Sequence, residues 1–61
     1  MDWPEVNCII EALGALIEKY HLDLQDDSLS DDDRSDLSSD LGYAEILLGK
    51  YEALRDQIAA Q

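Results

Sequence analysis

Two stretches of apolar residues with helical spacing, separated by an acidic break, constrain the fold of this chain most. In residues 3–24, beginning at Trp3, apolar side chains recur every seven residues in two interleaved series. In residues 37–58, steps of three and four alternate, and Arg55 interrupts the row. Such spacings place each row on one face of a helix. The sequence predicts two amphipathic α-helices, at about residues 3–24 and 31–59, with Trp3 in their shared core.

Capping residues mark where the two helices should begin. Asp2 precedes Pro4 and lies three residues before Glu5, which is typical of a capped helix start. Ser30 precedes three aspartates, which the positive end of a helix dipole favours. Residues 25–30 between the helices are rich in Asp and Ser and predict a turn. A connection this short joins antiparallel neighbours, so we expect an all-α, antiparallel two-helix hairpin.

The size of the chain and its cysteine and histidine content predict self-association. Sixty-one residues form one domain with a small core, which usually needs a disulfide, a metal or an oligomer for stability. Cys8 is the only cysteine and His21 the only histidine, so neither an internal disulfide nor a Cys/His zinc site can form. By elimination, self-association or a partner protein is the expected source of further stability, and the assembly we expect is a homodimer with the architecture of a four-helix bundle.

The second helix carries more apolar residues than one neighbour requires. Beyond the row that faces the first helix, several large side chains extend the apolar surface around the helix. An apolar strip over several turns indicates an interface. The predicted oligomer interface consists of Tyr43, Ile46, Leu47 and Leu54.

Three glycines inside the predicted helices have two interpretations. Gly42 and Gly49 are seven residues apart on one helix face, and Gly14 lies in the first helix. Each costs about 1 kcal/mol relative to alanine in a helix interior. They either are tolerated because packing holds the helix, or they permit a close approach of the two helices.

A net charge of −11, from 15 acidic and 4 basic residues, narrows the classes of partner. Direct nucleic-acid binding and binding to an anionic membrane both require clusters of Lys and Arg. A protein with a basic surface is the expected partner. No apolar stretch approaches the ~20 residues that span a bilayer. The first residues are acidic where a signal peptide would be basic, so the expected location is the cytoplasm.

The acidic segment, residues 23–40, holds eight aspartates and Arg34, a net charge of −7. It does not match a calcium-binding EF-hand loop, because the position of the closing Glu is occupied by Arg34 or Leu37 in the two registers. We expect no metal and no cofactor. The segment is either a solvated face or a surface that recognises a basic partner. The predicted partner-binding residues are Asp26, Asp27, Asp32, Asp36 and Asp40.

These features favour a binding function over catalysis. Cys8 and His21 are thirteen residues apart, and spacing pairs neither with a second catalytic group. We therefore expect no enzyme but a small acidic protein–protein interaction module, an adaptor, regulator or inhibitor. One alternative is an acidic nucleic-acid mimic, for instance of phage or mobile-element origin, that blocks a DNA- or RNA-binding protein. A second alternative is a co-chaperone or antitoxin-like partner that binds an apolar helix.

Overall fold

The computed structural model describes residues 2–60, which form two α-helices joined by residues 25–30. Helix α1 spans Trp3–Leu24 and helix α2 spans Asp31–Ala59. Contacts at both ends of the pair show that the helices are antiparallel. Arg34 bonds to Leu24 beside the connection, and Arg55 bonds to Asn7 at the far end. The predicted all-α hairpin is confirmed, and it measures 48 × 14 × 13 Å between Cα atoms.

Both helices begin at the predicted caps. The Asp2 carboxylate accepts a hydrogen bond from the backbone N–H of Glu5 at 3.1 Å. The Ser30 hydroxyl accepts one from the backbone N–H of Asp33, also at 3.1 Å. Each bond satisfies one of the four N–H groups that a helix start leaves without an intrahelical partner. Local spacing in the sequence is therefore sufficient to place both helix starts.

The two end contacts fix which residues of the helices lie level with one another. The residue numbers add up to 62 for the Asn7–Arg55 bond and to 58 for the Leu24–Arg34 bond. Since both helices rise about 1.5 Å per residue, facing positions add up to about 60 along the whole hairpin. The C-terminal end of α1 is therefore level with about residue 36, and the first turn of α2 extends beyond α1.

The core of the hairpin is small. Among the described residues, only Val6, Leu41 and Ala44 are buried, and the other apolar residues that face across the pair are partly exposed. Trp3, predicted as core, is 45% exposed, because it is the first residue of α1 and lies level with the end of α2. The accessible surface is 4391 Å². A compact monomer of this mass would expose roughly 4,000 Å². The elongated hairpin thus exposes more surface than a compact chain of the same mass.

The glycines do not bring the two helices together. A Cβ atom built at Gly14, Gly42 or Gly49 would meet no atom within 4 Å outside its own helix backbone and chain neighbours. The interpretation as sites of close approach is therefore wrong within the hairpin. These positions lie away from the row that faces the other helix, so the packing elsewhere on each helix has to offset their low helix propensity.

Within residues 2–60, neither helix combines the length and the apolar composition required to cross a membrane.

Candidate protein-binding surface

The acidic segment forms the turn end of the hairpin. It comprises the end of α1, the connection and the first ten residues of α2. Asp31, Asp32 and Asp33 occupy the first turn of α2, where the helix dipole stabilises negative charge. Because this turn extends beyond α1, its carboxylates are directed into solvent on several sides. The segment is therefore an acidic end of a rod and not one lateral face.

Arg34 holds this end together through backbone contacts. Its guanidinium group donates one hydrogen bond to the carbonyl oxygen of Leu24 at 2.7 Å and another to that of Asp26 at 3.0 Å. Carbonyl groups at a helix C-terminus lack intrahelical partners and carry partial negative charge. The half-buried guanidinium bonds to one carbonyl of this kind, at Leu24, and to one in the connection, at Asp26, and so links the first turns of α2 to the end of α1.

Asp26 is also used within the turn. Its carboxylate accepts hydrogen bonds from the Ser28 hydroxyl at 2.7 Å and from the Ser28 backbone N–H at 2.9 Å. The hydroxyl bond, then the backbone bond, hold the pKa of the Asp26 carboxyl below its ordinary value, and the charge of Arg34 adds a smaller effect. Of the five predicted partner-binding aspartates, Asp26 thus has a local structural role.

The other four predicted aspartates are exposed: Asp27, Asp32, Asp36 and Asp40. Three of them, Asp32, Asp36 and Asp40, follow one another at intervals of four residues and lie along one side of α2. At the α1 side of this end, Asp23 pairs with Lys19 at 3.3 Å. An exposed pair of this kind contributes little to stability. The turn end therefore presents carboxylates next to a turn whose backbone carbonyl groups are hydrogen-bonded to Arg34.

The predicted oligomer interface divides into two parts in the structure. Leu47 and Leu54 lie beside the contact with α1 and are half-buried. Tyr43 and Ile46 are 65% and 71% exposed. Successive helix residues are rotated by about 100°, so Ile46 is directed away from Leu47 and away from α1. The structure brings Tyr43, Leu47 and Leu54 onto one side of α2 and leaves Ile46 beyond its edge.

The remaining reactive side chains are separate from one another. Cys8 is a free, exposed thiol, and His21 is exposed near the end of α1. Between residues 2 and 60, no group of three or more His, Cys, Asp or Glu side chains is arranged to hold a metal ion. The same part of the chain contains no detectable pocket. The surfaces that the structure offers are therefore convex, one acidic and one apolar.

Two structural features were missed by the sequence analysis. Arg34 was noted only as the lone cation of the acidic segment, and no local spacing in the sequence indicates its contact with the turn. Ile9 and Leu16 flank the row of α1 that faces α2, a position that predicts internal packing, but Leu16 is 37% exposed and Ile9 is only half-buried.

Comparison of the chain with protein-family models, curated proteins and solved structures gives no match.

Proposed function

We propose that the protein is a small acidic protein–protein interaction module, an adaptor, regulator or inhibitor, that works as a homodimer in the cytoplasm. The acidic segment would bind a basic surface of another protein, and an apolar surface that includes Leu47 and Leu54 would mediate dimerisation. The observation that carries the proposal is the rigid acidic end. Of its exposed predicted aspartates, Asp27 lies in the connection and the other three lie along α2, next to the turn whose hydrogen bonds involve Arg34 and Asp26.

Rigidity is the reason to prefer recognition over a purely solvating role. Carboxylates that serve only solubility need no fixed position, and a flexible acidic loop would provide them. Here the connection is fixed by backbone bonds to Arg34 and by the bonds between Asp26 and Ser28. A preorganised surface loses less conformational entropy when it binds, so more of its interaction energy contributes to affinity.

The second candidate function is that of a nucleic-acid mimic. The spacing of the aspartates along α2 supports it less well than recognition by a basic protein. The row of Asp32, Asp36 and Asp40 carries one charge per about 6 Å of helix, at a rise of about 1.5 Å per residue. One DNA strand carries one charge per about 3.4 Å. The row therefore reproduces only about half of the charge density of a strand. A protein partner with a few spaced Lys or Arg side chains fits it better.

Two variants of equal net charge test the acidic segment as the binding site. In the first, Asp27, Asp32, Asp36 and Asp40 are replaced by Asn, and Asp26 is kept because the turn needs it. In the control, four exposed glutamates outside the segment are replaced by Gln. The control positions are Glu11, Glu18, Glu45 and Glu52.

Each protein is used for affinity capture from the native host, and the captured partner is then titrated with purified protein. We expect the control to bind like the wild type. The segment variant should bind about ten- to a hundredfold more weakly, from the loss of four charge contacts. Equal losses in both variants would show attraction by net charge alone and would refute the assignment. Competition of the captured partner by DNA or RNA would favour the mimic instead.

A further inference from the structure

The structure defines an apolar side of the hairpin to which both helices contribute. Each helix has three large apolar residues that are spaced seven and four residues apart. Each of them comes three residues after a position of the row that faces the other helix. Five of them are half-buried, and Leu16 is more exposed. We define the apolar side by these six residues, Ile9, Leu16 and Tyr20 on α1 and Leu47, Leu54 and Ile58 on α2.

The two triplets lie on the same side because the helices are antiparallel. Three residues further along a helix, the side-chain direction has rotated by about 60° less than a full turn. Seen along the chain, this rotation is the same in both helices. Because the axes of α1 and α2 point in opposite directions, this rotation moves the α1 triplet and the α2 triplet to the same side of the plane that contains both axes. The opposite side is reached by steps of four and carries Gly14, His21, Glu45 and Glu52. Apart from Trp3, which lies at the far end of this opposite side, the hairpin is therefore a layer with one apolar and one polar side.

We propose that a second copy of this chain covers the apolar side, in an antiparallel arrangement that places the two acidic segments at opposite ends of a four-helix bundle. A helical layer with one apolar side is stable when a second layer covers it. A two-fold axis perpendicular to the layer's long direction lets the same side serve both copies. This arrangement rests on the homodimer part of the proposed function and does not depend on what the acidic segment binds.

The area of the apolar side suits a specific dimer. Tyr20 of α1 lies level with about residue 40 of α2, so the apolar side extends along α2 from about residue 40 to Ile58. That is about 27 Å long and about two helix diameters, or 20 Å, wide, roughly 500 Å² per copy. Two copies bury about 1,000 Å², the area at which specific interfaces begin.

Charge selects the antiparallel arrangement. The 18 residues of the acidic segment carry −7, and the other 43 residues carry the remaining −4 of the total of −11. The α2 triplet continues toward the turn as Asp40 and Asp36 with the same spacing. In a parallel dimer these carboxylates would face their own copies within about one to two Debye lengths, which are about 8 Å at physiological salt. In the antiparallel dimer, Asp36 lies beyond the end of the second copy and stays hydrated.

The arrangement is tested by mass and by one distance. Sedimentation equilibrium at micromolar concentration should give twice the chain mass, and a monomer would overturn the proposal while leaving the acidic segment's function open. Spin labels are placed on Asp31→Cys in a Cys8→Ala background. Asp31 begins α2, about 18 residues from the centre of the apolar side, so antiparallel copies separate the labels by more than about 40 Å. A distance below about 25 Å would show parallel packing and refute the arrangement.

A matched pair of variants on α1 tests the apolar side itself. Leu16 lies on that side, and Leu22, 60% exposed, lies outside it. We expect Leu16→Glu to weaken dimerisation by at least about a hundredfold, because each dimer would bury two unpaired carboxylates. Leu22→Glu should retain the wild-type mass.

Ile46→Asp distinguishes this side from the outer face of α2. Ile46 lies beyond the apolar side, so the variant should remain dimeric. Dissociation of Ile46→Asp together with a dimeric Leu16→Glu would transfer the interface to the outer face and overturn the proposal. If Leu16→Glu fails to fold, as measured by circular dichroism, the label distance in the folded protein still decides.

Discussion

Replacement of Arg34 by alanine should destabilise the hairpin more than any other removal of a single positive charge. The variant deletes two hydrogen bonds from a charged donor, to the carbonyl oxygens of Leu24 and Asp26. Hydrogen bonds to charged groups contribute about 1.5–3 kcal/mol each when they are well buried. The guanidinium is only half-buried, so we expect about 0.5–1 kcal/mol for each bond. The favourable interaction with the C-terminus of α1 adds about 0.5 kcal/mol.

The expected loss for Arg34→Ala is therefore about 2 kcal/mol in the free energy of unfolding. For a chain of this size, that lowers Tm by about 8–16 °C, at 4–8 °C per kcal/mol. Arg34→Lys keeps the charge but not the fork that reaches two carbonyls, and should lose about 1 kcal/mol. Thermal and urea unfolding are followed by circular dichroism at one protein concentration, because the proposed dimerisation would make stability depend on concentration.

Lys50→Ala is the matched control, since Lys50 is exposed and its removal changes the net charge by the same amount. It should change stability by no more than about 0.5 kcal/mol. If Arg34→Ala and Lys50→Ala lose the same stability, the effect of Arg34 is one of net charge, and its role in fixing the turn is refuted.

Three further outcomes follow from local contacts. Gly42→Ala and Gly49→Ala should each raise the free energy of unfolding by up to about 1 kcal/mol, because the added methyl group meets nothing; a loss of stability in urea unfolding would indicate that another helix packs there. Ser28→Ala should raise the pKa of Asp26 toward its ordinary value, as followed by NMR titration, since it removes the hydroxyl bond. Because the pKa of Asp26 is lower in the folded protein than in the unfolded chain, the ionised carboxylate stabilises the fold at pH values above the unfolded-state pKa. This stabilisation is lost as the pH falls through the folded-state pKa, so the stability of Ser28→Ala should fall less steeply in acid. An unchanged acid transition would contradict this. Ser30→Ala should lower stability by about 1 kcal/mol through loss of the α2 cap, and no change in the thermal transition would exclude that role.

The features that the sequence predicted are those that depend on near neighbours in the chain. The caps at Asp2 and Ser30 and the facing rows follow from spacings of three and four residues, which determine helix contacts directly. Arg34 was not predictable in the same way, because its two acceptors lie eight and ten residues away and depend on the path of the connection. The apolar side required the relative orientation of the two helices, which spacing within one helix does not contain.

The glycines also show what spacing within one helix cannot predict. A small residue on a helix is compatible with a close neighbour and with empty space, and only the position of the second helix distinguishes them. The structure finds empty space at Gly42 and Gly49. The assignment of Ile46 to the oligomer interface, made from the sequence, is likewise untested by its exposure, which shows a free side chain and not what covers it, and the proposed dimer leaves Ile46 outside.

The location of the acidic segment at one end of a 48 Å rod would determine the valency of the proposed dimer. Two antiparallel copies would form one particle with two identical acidic ends, about 40 Å or more apart at a rise of about 1.5 Å per residue. Such a particle can bridge two basic sites on one partner or join two partner molecules. When both ends are engaged, the second contact is intramolecular, so the apparent affinity can exceed that of one end by about 10²–10⁴-fold. A weak acidic surface would then discriminate partners by the spacing of their basic sites as well as by their charge.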